Sequence, residues 1–382
     1  MNILVFAHDA SMYGASQSLL TALAGIKNIH DRKILVLLPY SGKFGEELDS
    51  LGIDSITLPF PKCTDYKRRT RTLKIRLKKT YGYYKNTRNV LPEIERIIKE
   101  FKPDVIYTNT SVVAMGHIIA RRQKIPHVWH VREFGDLDYD YVYFPAKTYI
   151  KRCIASSKRC IFGSEALRNA WLGPSLKNSH VVYNGIFENE WHFPPKKLPG
   201  SSVRLGIVGG IVSGKGQDVA IEAFGNLIQQ IPSCSLTLYG DTIDRSYHQK
   251  LLLLIKQLNI EEKVSIMGFE SDKNKIFDNL DVLLSCSRME GFGRTIVEAM
   301  SRGVPVIGNQ SGGIVEIIDD KINGLLYRET SGSLAEAIIL LLSNAELYHS
   351  LSINGIIKAK QFSIPKYVQS IDRILCDALI HD

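Results

Sequence analysis

Short, nearly continuous apolar runs alternate with stretches in which apolar residues recur every three or four positions. In the first half the runs predict strands near Ile3–Ala7, Ile34–Leu38, Val105–Tyr107, His127–His130, Arg159–Phe162 and His180–Tyr183. Helical periodicity falls between some of them, at Ser16–Ile26, Ile94–Phe101 and Val112–Arg122. Apolar runs without a polar alternate face suit strands covered on both sides, so the pattern predicts an α/β fold with a doubly wound parallel sheet. The alternation stops at FPPKKLPGSS, residues 193–202, whose prolines and glycine propagate neither element. It then resumes with strands near Val203–Val208, Ser235–Tyr239, Val264–Met267, Val282–Ser285 and Val304–Gly308. Helices are predicted at Gln217–Gln229, Tyr247–Leu258 and Arg294–Ser301, and an amphipathic helix at Pro365–Leu379 follows a Ser-Ile-Pro break.

The 382 residues are too many for one ordinary core and suit two domains. The expected division is a first domain over 1–192, a linker over 193–202 and a second domain over 203–364. The C-terminal segment 365–382 is expected to leave the second domain again. Ligands of open α/β sheets bind outside the carboxyl ends of the strands, which places the expected site in a cleft between two such domains.

Residues 283–318, LLSCSRMEGFGRTIVEAMSRGVPVIGNQSGGIVEII, hold the densest chemistry. A buried strand ends near Ser285, a loop carries Glu290-Gly291-Phe292-Gly293, and a helix starts near Arg294. Glycines at 291 and 293 let backbone approach a ligand closely. The unpaired amides of the first helical turn, including Thr295, favour an anion such as phosphate. Glu290 precedes the helix and Glu298 lies just over one turn inside it, so two carboxylates flank the anion position. A nucleotide sugar has that layout, with neutral hydroxyl-rich groups on either side of a diphosphate.

This stretch resembles the donor-site signature of family-4 retaining glycosyltransferases, whose core is E-x7-E, present here as EGFGRTIVE. Residues 203–224, VRLGIVGGIVSGKGQDVAIEAF, resemble the family's first strand-turn-helix of the nucleotide domain. The resemblance implies a GT-B fold, two doubly wound Rossmann-like domains facing across a cleft. It implies a metal-independent hexosyltransferase that takes a UDP- or GDP-linked sugar as donor substrate, needs no cofactor, and retains the anomeric configuration. By the same resemblance Lys215 holds the donor diphosphate, Glu290 orients the hexose and Glu298 the ribose. Phe292, Gly293, Arg294 and Thr295 belong to the donor site, Gly14 opens the glycine-rich turn of the first domain, and His130 reaches the donor sugar. His130, Lys215 and Glu290 are the expected catalytic residues. The family commonly has an arginine where this chain has Gly210, so either another basic group replaces it, with Arg294 the candidate, or diphosphate binding is weaker.

Charge changes the picture in one place. Eleven basic residues and a single acid, Asp65, lie between Lys62 and Arg88, interleaved with Leu73, Ile75, Leu77, Tyr81, Tyr83 and Tyr84. Cations mixed with apolar and aromatic side chains suit a segment lying on an anionic membrane surface. Nucleic acid is the rival partner for such a block, but no nucleic-acid module is recognisable elsewhere, so none is expected. A lipid-linked sugar or glycan acceptor, as in surface-polysaccharide assembly, follows from the membrane reading. No apolar run reaches the ~18–20 residues of a spanning helix, and the N-terminus enters a strand directly, so the expected location is cytoplasmic, peripheral on the inner face of the membrane. The six scattered cysteines, without a C-x-x-C pair, predict buried thiols and no metal site. The D-x-D run at Asp136–Asp140 invites a metal-binding interpretation; Tyr141 and Lys147 stand where a calcium loop needs Gly and Glu, so an exposed acidic loop is expected.

Overall fold

The computed structural model describes residues 1–174, 176–188, 192–200, 202–328 and 330–380. Residues 189–191 of the expected first domain, Ser201 of the expected linker, Glu329 and the last two residues of segment 365–382 lie outside them. The chain forms two compact units, Met1–Gly185 with Ile364–Asp382, and Ile186–Ser363.

Unit 1 runs β1 (Asn2–Phe6), α1 (Gly14–Lys27), β2 (Lys33–Leu38), α2 (Lys43–Ser50), β3 (Asp54–Thr57), β4 (Thr64–Tyr66), α3 (Leu73–Phe101), β5 (Val105–Asn109), α4 (Met115–Gln123), β6 (His127–Val131), β7 (Tyr141–Tyr143), α5 (Lys147–Ala155), β8 (Arg159–Phe162), α6 (Glu165–Trp171) and β9 (Ser179–Val181). Its sheet has the order β3-β2-β1-β5-β6-β8-β9 and is parallel throughout. Alternate residues of β1 serve two cores. Ile3 and Val5 pack with Leu19, Leu23 and Ile371, while Leu4 and Phe6 pack with Ile94, Ile98 and Ile119. Both faces are therefore dry from Ile3 onward, which is why the strand is apolar from Ile3 to Phe6.

Unit 2 runs β10 (Val203–Val208), α7 (Gln217–Leu227), β11 (Cys234–Tyr239), α8 (Arg245–Gln257), β12 (Val264–Gly268), α9 (Lys273–Asp278), β13 (Val282–Ser285), α10 (Arg294–Ser301), β14 (Val306–Asn309), α11 (Ile314–Ile317), β15 (Leu325–Tyr327), α12 (Ser331–Leu342) and α13 (Ala345–Ala359). Its parallel sheet has the order β12-β11-β10-β13-β14-β15. Both units are Rossmann-like. β14 starts at Val306, past the expected Val304, because Pro305 has no amide to give the ladder.

The last helix, α14 (Ile364–Asp377), belongs to unit 1. Tyr367, Val368, Ile371, Ile374 and Leu375 form one buried stripe at helical spacing. Gly25 of α1 allows the close approach, since a Cβ there would lie 2.4 Å from Val368 Cγ2. A two-pronged ion pair fixes the far side, with Arg32 Nε 2.8 Å from Asp372 Oδ1 and Nη2 3.0 Å from Oδ2.

Two sequence expectations are corrected. The chain leaves unit 1 after Gly185, ahead of the 193–202 stretch. That stretch is irregular, as its prolines require, but it is fastened to unit 2: Lys196 Nζ donates to the carbonyls of Phe277 and Leu280 at 2.8 and 2.6 Å. Second, the helix expected at Ile94–Phe101 begins at Leu73 and absorbs much of the basic block. Thr72 caps it by accepting from the Ile75 amide, and Lys102 ends it in a left-handed conformation before Pro103. At 29 residues it is about 44 Å long. Its exposed half mixes cations and apolar residues on one surface, so no polar face marks the helix in the sequence.

Candidate functional site

In unit 2 chain order reverses between neighbouring strands β10 and β13. Such a switch leaves the two following loops diverging at the carboxyl edge of the sheet, where a crevice opens for ligand. The loop after β10 carries Lys215 and the loop after β13 carries Glu290. The structure brings them together: Lys215 Nζ lies 2.7 Å from Glu290 Oε2. Ser287 Oγ donates to the same oxygen at 2.7 Å. Burial pushes the Glu290 carboxyl up, but the Lys215 charge and these hydrogen bonds outweigh it and hold the group below the usual carboxylate range. Glu290 is thus a charged acceptor, and Lys215 a cation held in place before any ligand arrives.

The two loops are zipped by backbone. The Arg288 amide donates to the Gly214 carbonyl at 2.9 Å, and Arg288 Nη2 reaches Asp218 Oδ2 at 3.0 Å. Gly216 makes this approach feasible: its φ is 66°, and a Cβ would sit 2.1 Å from the Cys286 carbonyl oxygen. The Gly312-Gly313 turn presses on the same loop, with the Gly313 amide donating to the Glu290 carbonyl at 2.7 Å.

Gly293, left-handed at φ 97°, starts α10 without a side-chain cap, and no acid stands in the first turn. Phosphate-favouring amides therefore begin at Arg294 and Thr295. Phe292 is buried against Phe362, ring centroids 5.5 Å apart, so its ring is not open to a ligand. Thr295 is partly buried. Glu298 is 4% exposed and lies between two cations, Lys273 Nζ 3.2 Å from Oε2 and Arg294 Nη2 3.4 Å from Oε1. Burial raises its carboxyl, yet Lys273 and then Arg294 reverse the shift and keep it below the usual range. Arg294 shares its charge with Glu298. At Gly210, a Cβ would meet Ile243 Cδ1 at 2.3 Å, so Ile243 occupies the space a side chain would need there.

Unit 1 has its own switch, between β1 and β5. Gly14 follows β1 as the first residue of α1, with Tyr13 at the cap position and no side-chain cap hydrogen bond. His130 is the penultimate residue of β6 and is fully buried. Tyr107 Oη is 2.6 Å from its Nδ1, and Arg132 Nη2 is 3.3 Å from the same atom. Burial, then the Arg132 charge, drives the His130 pKa well below 6.5. The Asp136–Asp140 loop is committed internally: Asp138 accepts from the Phe134 and Gly135 amides at 2.9 and 2.6 Å, and Asp136 pairs with Lys147. Among the described residues no group of three or more His, Cys, Asp or Glu is placed to hold a metal ion. The six cysteines are free thiols.

Sequence reasoning missed Ser287, Lys273, Arg132 and the Arg288–Asp218 clasp. Ser287 stands three residues before Glu290, a weak local signal. Lys273 is distant in the chain and comes to Glu298 through α9, which has no marked periodicity.

Comparison with known proteins bears on the family and the fold. Residues 189–358 match the family of glycosyl transferases group 1, and residues 42–189 match glycosyltransferase family 4. The chain is 28% identical over 291 residues to an uncharacterized glycosyltransferase of Methanocaldococcus jannaschii, spanning 73% of this chain and 77% of that one. It is 32% identical over 169 residues to the N-acetyl-alpha-D-glucosaminyl L-malate synthase of Bacillus anthracis, 44% of this chain and 43% of that one. Among solved structures, Anabaena HepE in complex with UDP and glucose shares the fold, with a TM-score of 0.78 at 23% identity over 98% of this chain and 99% of that one. Two family matches in tandem, on two Rossmann-like units, identify the chain as a glycosyltransferase of the GT-B fold.

Proposed function

We propose that the enzyme transfers a hexose, with retention, from a UDP- or GDP-linked sugar to a glycan or lipid-linked acceptor in surface-polysaccharide assembly. The observation that carries this reading is the meeting of Lys215, Glu290 and the uncapped start of α10 at the unit 2 switch point. A diphosphate there finds one ammonium and the positive end of a helix. Charged Glu290 accepts hydroxyl protons of the hexose and Glu298 those of the ribose. In the transfer the bond from the anomeric carbon to the phosphate oxygen breaks and the acceptor oxygen bonds to the same face of that carbon. The acceptor's proton passes to the departing phosphate. Lys215 and the α10 amides stabilise the charge that develops on the leaving group, which assigns that task to protein groups and leaves none for a metal.

The acceptor side of the proposal rests on α3. Leu73, Leu77, Tyr81 and Tyr84 are 73, 62, 71 and 46% exposed and follow one another at spacings of one helical turn. Lys74, Lys78, Lys85 and Arg88 flank them. An apolar stripe bordered by cations fits the headgroup layer of an anionic bilayer, on the cytoplasmic face where such lipids reside. No described helix is long and apolar enough to cross a membrane.

A thermal-shift screen of nucleotide sugars tests the donor assignment, because a ligand that binds only the folded protein raises its apparent Tm. UDP- or GDP-sugars raising Tm, with free hexoses inert, is the expected pattern. Equal insensitivity to every nucleotide sugar at millimolar concentration contradicts the proposal.

A further inference from the structure

Arg132 follows β6 directly, at the carboxyl edge of the unit 1 sheet, and is half-buried. Its Nε donates to Asn109 Oδ1 at 2.5 Å, Nη1 to Asn184 Oδ1 at 2.7 Å and Nη2 to Tyr367 Oη at 2.8 Å. Nη2 also faces His130 Nδ1 at 3.3 Å. None of these partners carries a negative charge. Glu133, next in the chain, turns its carboxylate to the Ser111 amide and hydroxyl instead, both at 2.6 Å. Among the described residues no acid pairs with the guanidinium. A cation drawn out of water without an opposite charge is unfavourable. Here three neutral oxygens, from the end of β5, the stretch after β9 and α14, fix both its place and its direction. A guanidinium has five N–H groups; four are engaged, and the second on Nη1 has no acceptor among the described residues.

A second cation reaches the same edge. Lys62, in the connector after β3, holds its ammonium 3.2 Å from Asp9 Oδ2 in the loop after β1, and its side chain is 40% exposed. Asp9 is already committed on its other oxygen, which accepts from the Ser11 amide at 2.8 Å. Half-buried His8 feels both cations: burial first, then the Lys62 charge and that of Arg132, depress its pKa to about 3. The ring is therefore neutral. Two cations against the single carboxylate of Asp9 leave the surroundings of His8 positive. The edge is also the switch point of unit 1, where the loops after β1 and β5 diverge and a crevice opens for ligand. Thr110, the first residue after β5, holds a left-handed φ of 74°, a strained conformation for a β-branched residue and one that recurs at binding sites.

We propose that Arg132 and Lys62 form an anion site in unit 1, and that the acceptor carries a phosphate or carboxylate group which they bind. The site itself stands on unit 1 alone; the acceptor half rests on the proposed function above. The acceptor is then a sugar phosphate or an acidic sugar, and not a neutral glycan. Arg132 offers the unengaged Nη1 hydrogen from a fixed direction. Lys62 offers the two ammonium hydrogens beyond the one given to Asp9, on a stem free to follow the ligand. The diphosphate of the donor is the competing source of the same chemistry, and the test separates the two.

The test is a thermal-shift titration of the full chain with inorganic phosphate and glucose 6-phosphate, glucose serving as the neutral control, at constant ionic strength. Each titration is run with and without saturating UDP and GDP. Both phosphates should raise the Tm of the wild type by a few degrees, with or without nucleotide, and glucose should not. Arg132→Gln should abolish the shift, Lys62→Ala should weaken phosphate by about tenfold or more, and Lys215→Ala should leave it intact. If Arg132→Gln fails to fold, Lys62→Ala against Lys215→Ala still decides. An Arg132→Gln protein that melts lower yet responds fully to phosphate makes the guanidinium a structural tie and overturns the site. A shift abolished by nucleotide or by Lys215→Ala places the anion in unit 2 and overturns it too. For the acceptor half, sugars bearing phosphate or carboxylate, offered with a UDP- or GDP-sugar, should exceed their neutral counterparts in kcat/KM by about tenfold or more, and Arg132→Gln should level them. Equal use of both by the wild type sinks the acceptor half and leaves the anion site standing.

Discussion

Lys215 and Glu290 lie on loops that follow adjacent strands of one sheet, and their charged atoms are 2.7 Å apart. The pair is partly shielded, at 25 and 18% exposure. The contact keeps the Lys215 ammonium from wandering on its flexible stem and keeps the Glu290 carboxylate charged, as the proposed donor site requires.

Removing the ammonium should cost transition-state stabilisation more than substrate binding. Lys215→Ala is expected to lower kcat by about 10²–10³-fold. Glu290→Gln should weaken activity too, but the two losses should fall short of additive in the double variant, with a coupling of about 1–3 kcal/mol. Steady-state kinetics of the four-member cycle measures this; strict additivity would show that the contact has no energetic role.

Backbone approach sets the next expectation. Gly216→Ala places a methyl on a left-handed residue against the Cys286 carbonyl. The conformation alone costs about 1–3 kcal/mol, and the contact adds to it by prying the two site loops apart. Urea unfolding should show unit 2 destabilised by at least that amount, together with weaker nucleotide binding. A variant as stable as wild type would mean that the loops are not in contact as described.

These features differ in how plainly the sequence announced them. The strands at Asn2–Phe6 and Val203–Val208 were legible because burial on both faces leaves them apolar apart from half-buried Asn2 and Arg204. The start of α10 was legible because Gly293 and the residues around it form a contiguous motif. The antiparallel ribbon of β4 and β7 was not: each strand is three residues long and its partner is remote in sequence. Helices α12 and α13 lie beyond the motif, and neither has a recognisable signature of its own. Glu298 was correctly placed on α10, but its cation Lys273 arrives by tertiary packing, which no local spacing encodes. Likewise Arg132 stood beside His130 in the chain, and only the fold turns its guanidinium back onto the ring.

Acidification should unfold unit 1 through half-buried His8 and the buried His117, His127 and His130. Burial lowers His8 to about 3 and His117 to about 4, and carries His127 and His130 well below 6.5. The unfolded chain binds protons near pH 6.5 while the folded one does not, so their contribution is complete above that pH and is lost as pH falls below it. Each group removes up to roughly 1.4 kcal/mol per pH unit in that window. Apparent Tm should be flat above pH 7 and fall steadily from pH 6.5 to 4.5. A Tm that is constant over that range would contradict the burial of these rings.

Membrane attachment through α3 has a direct readout. Sedimentation with vesicles should require anionic lipid, weaken at high salt, and be lost in Leu73→Ser with Leu77→Ser and Tyr81→Ser. These residues are exposed, so the triple variant should keep the Tm of wild type. Equal binding to neutral vesicles would remove charge from the account.

The most direct measurement is calorimetric titration of UDP and GDP into the wild-type protein and into Lys215→Ala. The account predicts that one nucleotide binds the wild type, and that the substitution weakens it by about tenfold or more, as loss of a charged hydrogen bond should. Unaltered affinity in Lys215→Ala would show that the diphosphate lies elsewhere and would overturn the proposed site.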